Sequence, residues 1–322
     1  MRDNIVANPE YSRRSNSVTP TETARELVRT AYDLHVHVHP DVIGRIVDDV
    51  TLAERFLELG LAGFALKSHY TSTAERARVV ERAVPGIDVV GTLTLNAAIG
   101  GLNALAVEIA AREGARIVWL PTVDAVNEAE ARDREYGEGV AKPLWARIQV
   151  ELREQGIEPP PVALLDSAGE PLQALLDVLA VVARHGLVLA TGHISRAEIF
   201  AVVAAAEAAG VRQVVVTHPE FPAQDLSLED QVELAERGAL LERCFTTPHT
   251  GKCSWERVCE GIRATGAGRN LLSTDLGQPA NPPVEDGLAL FADRLLAGGI
   301  SEDEIQTMTV VNSRLLAGVD AS

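Results

Sequence analysis

The sequence predicts an α/β fold, a single (β/α)8 TIM barrel, and three observations carry that prediction. Short apolar runs of strand character alternate strictly with segments of helical spacing, and eight such runs lie between residues 32 and 277. Eight is the number that closes a (β/α)8 barrel. Reactive side chains gather at the C-terminal ends of the runs, where such a barrel keeps its active site. The competing arrangement, an open doubly wound sheet, would carry a glycine-rich phosphate loop after an early strand, and the chain has none.

Residues 1 to about 20 are polar and unpatterned, and the segment 1–30 reads as an N-terminal arm before a barrel domain spanning 31–322. Within the arm, TETARELVRT (21–30) predicts a short lead-in helix capped by Thr19 or Thr21. The first strand, in YDLHVHVHPD (32–41), sets His35, His37 and His39 at alternate positions, which on an extended chain sends all three imidazoles to one side. Leu52, Phe56 and Leu59 then repeat at helical spacing and stop at a glycine. Strand GFALKSHY (63–70), helix 73–84, strand DVVGTLTLN (88–96), helix 103–113 and strand ARIVWLPTV (115–123) follow. From about 124 to 170 the rhythm breaks. This charged, then proline-rich stretch, with a hairpin expected over VALLDSAGEPL (162–172), reads as an insertion between strands four and five. The alternation resumes with helix 171–184, strand GLVLATGHI (186–194), helix 196–209, strand VRQVVVTHPE (211–220), helix 227–237, strand GALLERCFT (238–246), helix 254–265 and strand NLLSTDLG (270–277). Helices near 284–298 and 301–316 close the chain.

Composition narrows the function. A net charge of −17 argues against nucleic acid or an anionic membrane as the main partner, since both need positive surface. A small-molecule substrate is expected instead, and a homo-oligomer is compatible with the reading. No apolar run reaches the roughly 18 residues of a membrane span, and the first residues lack the apolar core of a signal peptide, so the expected location is cytoplasmic. Cys244, Cys253 and Cys259 form no CxxC pair and read as free thiols.

The chemistry sorts to the strand ends. Strand one ends in His35, His37 and His39, strand two in Lys67 and His69, strand five in His193, strand six in His218 and strand eight in Asp275. The other two histidines are His185, in the last turn of a helix, and His249, in a loop. Imidazole is a favoured ligand for divalent transition ions, so histidines gathered this way predict a metal site.

At these residues the chain resembles the amidohydrolase superfamily of metal-dependent hydrolases. The matching pattern is HxH on strand one (His35, His37), a histidine ending strand five (His193 in ATGHIS), another ending strand six (His218 in VVTHPE) and an aspartate ending strand eight (Asp275 in STDLG). It runs from about residue 31 to 318 and includes VNSRLLAGV near the end. More narrowly, LKSHYTSTAERA, LTLNAAIGGLNALAVE and IVWLPTVDA are similar to an uncharacterised branch of that superfamily. The resemblance implies one or two divalent ions, zinc first with manganese or iron as alternatives, held by His35, His37, His193, His218 and Asp275. Such an ion lowers the pKa of a bound water toward about 7, and Asp275 would take its proton and pass it to the leaving group. The departure lies on strand four, which offers only Thr122, with Asp124 beyond, where relatives with two metals carry a bridging carboxylated lysine or glutamate. Lys67, sharing inward parity with His69, is then either a carbamate bridge from strand two or an ammonium that reads a substrate anion. His69 joins Lys67 among the catalytic candidates. Arg45, Asn96, Asn103 and His39 are the expected substrate contacts, Arg45 suiting a carboxylate. Glu242, the acidic residue of strand seven, could face either way.

The leading function is hydrolysis of a C–N or C–O bond, in an amide, lactone or cyclic imide, of an anionic small molecule. A decarboxylase, lyase or hydratase on the same barrel is the alternative, and a non-catalytic metal-dependent binding protein a third.

Overall fold

The computed structural model describes residues 19–130 and 145–319. Residues 1–18, most of the expected arm, and 131–144, within the expected insertion, lie outside them. Eight strands, β1 (Tyr32–Val36), β2 (Gly63–Leu66), β3 (Asp88–Thr94), β4 (Ala115–Trp119), β5 (Val188–Ala190), β6 (Gln213–Thr217), β7 (Leu240–Cys244) and β8 (Asn270–Ser273), pair in parallel in chain order. Just beyond β8 the last strand meets the first: Asp275 N–H donates to His35 O at 2.8 Å and His37 N–H to Leu276 O at 2.9 Å. Those bonds close the barrel through residues of the HxH and STDLG motifs themselves.

The helices are α1 (Glu22–Leu27), α2 (Asp49–Glu58), α3 (Ala74–Ala83), α4 (Ala104–Glu113), α5 (Val126–Glu130), α6 (Trp145–Glu154), α7 (Gln173–His185), α8 (Arg196–Ala208), α9 (Leu228–Glu236), α10 (Thr246–His249), α11 (Trp255–Thr265), α12 (Val284–Ala297), α13 (Glu302–Gln306) and α14 (Asn312–Ala317). Alternation along the strands sorts the core into layers. Leu34, Ala65, Val90, Ile117, Trp119, Val188, Val215, Leu240 and Leu271 pack inside the barrel. Their neighbours, such as Phe64, Leu93, Val118, Leu189, Val216 and Leu241, bury against the helices. Side-chain caps fix where helices begin. Ser195 and Ser227 make capping boxes ahead of α8 and α9, and Asp48 caps α2.

Several expectations shift at the edges. Thr21 is the residue that caps α1, and Ala24 and Leu27 bury that helix in the core of the barrel domain, with Arg25 bonded to Asp286 of α12 at 2.7 Å. Inside the stretch read as irregular, α6 forms; its apolar residues at 148, 150 and 152 alternate, which disguises the helical period. The hairpin over 162–172 is a single antiparallel bridge between Leu165 and Pro171. The last helix, expected unbroken, carries a π-helical turn at Thr307–Val311 between α13 and α14.

Candidate metal centre

Strands β5, β6 and β8 are shorter than the apolar runs that predict them, because the chemical residues leave the ladder. His193, His218 and Asp275 all follow the last paired residue of their strands. His218 and Asp275 take left-handed backbone conformations, with φ of 51° and 54°. Non-glycine residues seldom adopt this conformation, and where they do the surroundings hold them in it.

Asp275 is the point of convergence. Its Oδ1 lies 3.3 Å from His35 Nε2 and 3.1 Å from His37 Nε2, and its Oδ2 lies 3.8 Å from His218 Nε2. Thr246 Oγ1 donates to Oδ2 at 2.9 Å. His193 stands edge-on to His218, with ring centroids 5.4 Å apart, and its Nδ1 bonds Glu128 Oε1 at 2.8 Å, which leaves Nε2 as its remaining donor atom. Lys67 Nζ sits 2.8 Å from His35 Nε2 and 4.9 Å over the Trp119 ring. His69 stacks on His37 with centroids 5.0 Å apart and meets Thr122 Oγ1 through Nδ1 at 2.9 Å.

Burial sets the protonation states. It lowers His37 to about 3 and holds His69 and His218 well below the usual imidazole range, so these rings are neutral. Burial alone would raise Asp275, but His35, the hydrogen bond to His37 and the nearby His218 outweigh it and keep the carboxyl well below its ordinary value. Burial also lowers Lys67.

A divalent ion fits these groups. Neutral imidazoles and an ionised carboxylate are the donors that zinc, manganese or iron take. One donor atom each from His35, His37 and Asp275 lies within 4.8 Å of the other two, as close as one ion requires. The Nδ1 atoms of His37 and His218 are buried without a hydrogen-bond partner among the described residues, so nothing fixes these rings in the manner of Glu128 on His193. Cys244, with Sγ 3.7 Å from His35 Nδ1, forms a second close group with His35 and His218. Burial pushes that thiol well up and keeps it protonated, which makes it the poorer donor.

Three residues expected to contact substrate make hydrogen bonds within the chain. His39 Nε2 accepts from the Arg45 backbone N–H at 2.9 Å and so closes its own loop. Asn96 donates to His69 O and Thr122 Oγ1 and accepts from Thr122 N–H, tying the ends of β2 and β4 together. Asn103 caps α4, its Oδ1 accepting from Ala106 N–H at 3.1 Å. Arg45 is paired with Asp41 at 2.7 Å, and its charge contributes to the low pKa of His37 and His69. Asp124 is taken up by Ala97 N–H and Gln149.

Two acidic residues at the centre were not foreseen in their roles. Glu242 points inward, with Oε1 3.2 Å from His35 Nδ1. An acid, an arginine and a cysteine closing a strand that begins with two leucines were the available signal. Glu128 carried no signal, since it lies in the stretch without rhythm. Of the other two histidines, His185 pairs with Glu108 on the surface at 2.8 Å and His249 stacks on Phe245.

Residues 30–242 match the profile of DUF6282, a family of unknown function. The chain belongs to that family. No curated protein matches it. Among solved structures, an amidohydrolase from Pseudomonas aeruginosa aligns with a TM-score of 0.59 at 12% identity, over 94% of this chain and 100% of that one. A metallo peptidase from Rhodobacter sphaeroides, liganded with a phosphinate mimic of the dipeptide L-Ala-D-Ala, aligns at 0.58 and 14% identity, over 90% and 99% of the two chains. A β-aspartyl dipeptidase from Fervidobacterium islandicum aligns at 0.55 and 11% identity, over 90% and 72%. At these identities the DUF6282 chain shares their fold, and its motifs give the same resemblance to the amidohydrolase superfamily. None of the described helices is long and apolar enough to cross a membrane.

Proposed function

We propose that this chain is a metal-dependent hydrolase that cleaves a C–N or C–O bond of a small anionic substrate. The observation that carries the reading is the convergence of His35, His37 and His218 on the two oxygens of Asp275 at the mouth of the barrel. His35, His37, His193, His218 and Asp275 would hold the ion. Bound there, it supplies Lewis acidity, polarising a carbonyl and acidifying water. Asp275, kept ionised by its histidine neighbours and oriented by Thr246, accepts a proton at Oδ1 or Oδ2 and returns it to the departing nitrogen or oxygen. Trp145 and Phe221 lie beside His193, with ring centroids 6.2 and 5.3 Å from its ring, and present apolar surface next to that histidine. Arg45 favours a carboxylate or similar anion on the substrate.

The position of Lys67 favours the carbamate form. An ammonium 2.8 Å from His35 Nε2 would repel any cation which that nitrogen binds. A carbamate, formed from the amine and carbon dioxide with release of a proton, replaces the repulsion with attraction. It would bridge two ions from strand two, in place of the carboxylate that strand four lacks.

Water as nucleophile is tested directly. With a panel of N-acyl amino acids, lactones and cyclic imides, products formed in 18O-labelled water carry the label if the chain is a hydrolase. A turnover whose carboxyl product stays unlabelled, or that releases carbon dioxide, assigns the lyase alternative, which the fold also accommodates.

A further inference from the structure

Strand β7 supplies none of the five proposed ligands, yet it lies between β6 and β8, which lead into His218 and Asp275. Successive side chains on a strand face opposite ways. Glu242 faces inward, 1% exposed, with Oε1 3.2 Å from His35 Nδ1, while its own carbonyl oxygen accepts from His218 N–H at 3.2 Å. Arg243 faces outward and is fully buried. Its Nη1 bonds Glu220 and, at 2.7 Å, Gln231 Oε1, and its Nε bonds Asn270 Oδ1 at 2.8 Å. Glu220 stands two residues past His218, in the tight loop where Phe221 N–H donates back to His218 O at 2.8 Å. That loop carries His218 in its left-handed conformation and packs Phe221 against the His193 and His218 rings.

We infer that the adjacent pair Glu242 and Arg243 positions the metal centre from a strand that donates no ligand to it. Glu242 receives the Nδ1 proton of His35, which leaves the lone pair on Nε2, the atom facing Asp275 and Lys67. Arg243, through Glu220, anchors the loop that holds His218 in a conformation its backbone would otherwise leave. A buried ion pair adds little stability over an apolar one of the same size, so what the Arg243–Glu220 pair positions is the better account of its presence. The inference rests on the proposed metal site.

The test uses two readouts, one of them independent of metal. In the metal-free protein, 15N-resolved histidine NMR is expected to show His35 as the Nδ1–H tautomer. In Glu242→Leu, which removes the acceptor and keeps an apolar core, a large share of His35 moves to Nε2–H and Co(II) affinity falls about 10- to 100-fold. Glu242→Gln, which retains a carbonyl acceptor, restores most of both. The double variant Arg243→Met with Glu220→Gln leaves no unpaired buried charge. It is expected to fold, to keep the His35 tautomer and to lose Co(II) affinity by a similar factor with an altered visible spectrum. Wild-type tautomer and wild-type affinity in Glu242→Leu, or a Gln variant no better than Leu, would overturn the role of Glu242. Unchanged affinity and spectrum in the double variant would overturn that of Arg243. If the wild-type protein takes up no Co(II), the metal reading fails, and the His35 tautomer in Glu242→Leu alone decides the positioning claim.

Discussion

The proposed reaction places two demands on Asp275 at once, to stay ionised to hold a cation and still to take a proton during turnover. Asp275→Asn keeps the shape and one oxygen but removes the base. Turnover is expected to fall roughly a hundredfold or more with metal largely retained, and an unchanged kcat on any substrate found would remove Asp275 from the chemistry. Lys67→Ala is expected to lower the metal content from two ions per chain, with partial rescue by short carboxylic acids that fill the bridge. Full metal content in this variant, with KM for anionic substrates raised tenfold or more, would assign the ammonium role instead. The buried imidazoles also predict a pH dependence. His37 titrates near 6.5 in the unfolded chain but only at about 3 when folded, and His69 and His218 shift the same way. The unfolded state then binds more protons, so the metal-free protein loses stability as pH falls from about 6.5 toward 4. Asp33, pushed up to about 7 by burial, works in the opposite sense over that window, one carboxyl against three imidazoles. Urea midpoints of the metal-free protein at pH 7.5, 6 and 5 should fall in that order; a flat or rising series contradicts these assignments.

Among the elements, the seam between β1 and β8 is the most exacting. Gly277 has φ of 127°, and a Cβ there would run into the carbonyl oxygen of His37. Gly277→Ala is expected to cost about 1–3 kcal/mol of stability and to weaken metal binding, because the displaced backbone carries His37. Wild-type thermal midpoint and metal affinity in this variant would show that the seam gives way more easily than its geometry implies. The seam also shows what the sequence could and could not convey. Eight strands and their alternation with helices were legible because period-2 and period-3.6 patterns report which face is buried. Strand ends were not, since leaving the ladder at His193, His218 and Asp275 depends on backbone conformation rather than hydrophobicity. Side-chain destinations were the least legible. His39, Asn96 and Asn103 have the chemistry of substrate contacts, and the sequence does not reveal the loop bond, strand-to-strand tie and helix cap that they also make. Glu128 came from the opposite direction, a residue in an unpatterned stretch that reaches His193.

For the whole molecule, a site whose proposed ligands come from β1, the residue just past it and the loops after β5, β6 and β8 would link metal binding to the integrity of the barrel. Any ion that binds only the folded chain stabilises it by about 2.7 kcal/mol at a hundredfold excess over Kd. For a chain of 322 residues that corresponds to a rise in Tm of roughly 4 °C, which a chelator should reverse. The most direct measurement is elemental analysis of protein purified without chelator. It is expected to return one to two zinc, manganese or iron ions per chain; a reading below about 0.2 ions per chain, persisting after supplementation with each metal, would contradict the metal centre and the hydrolase built on it.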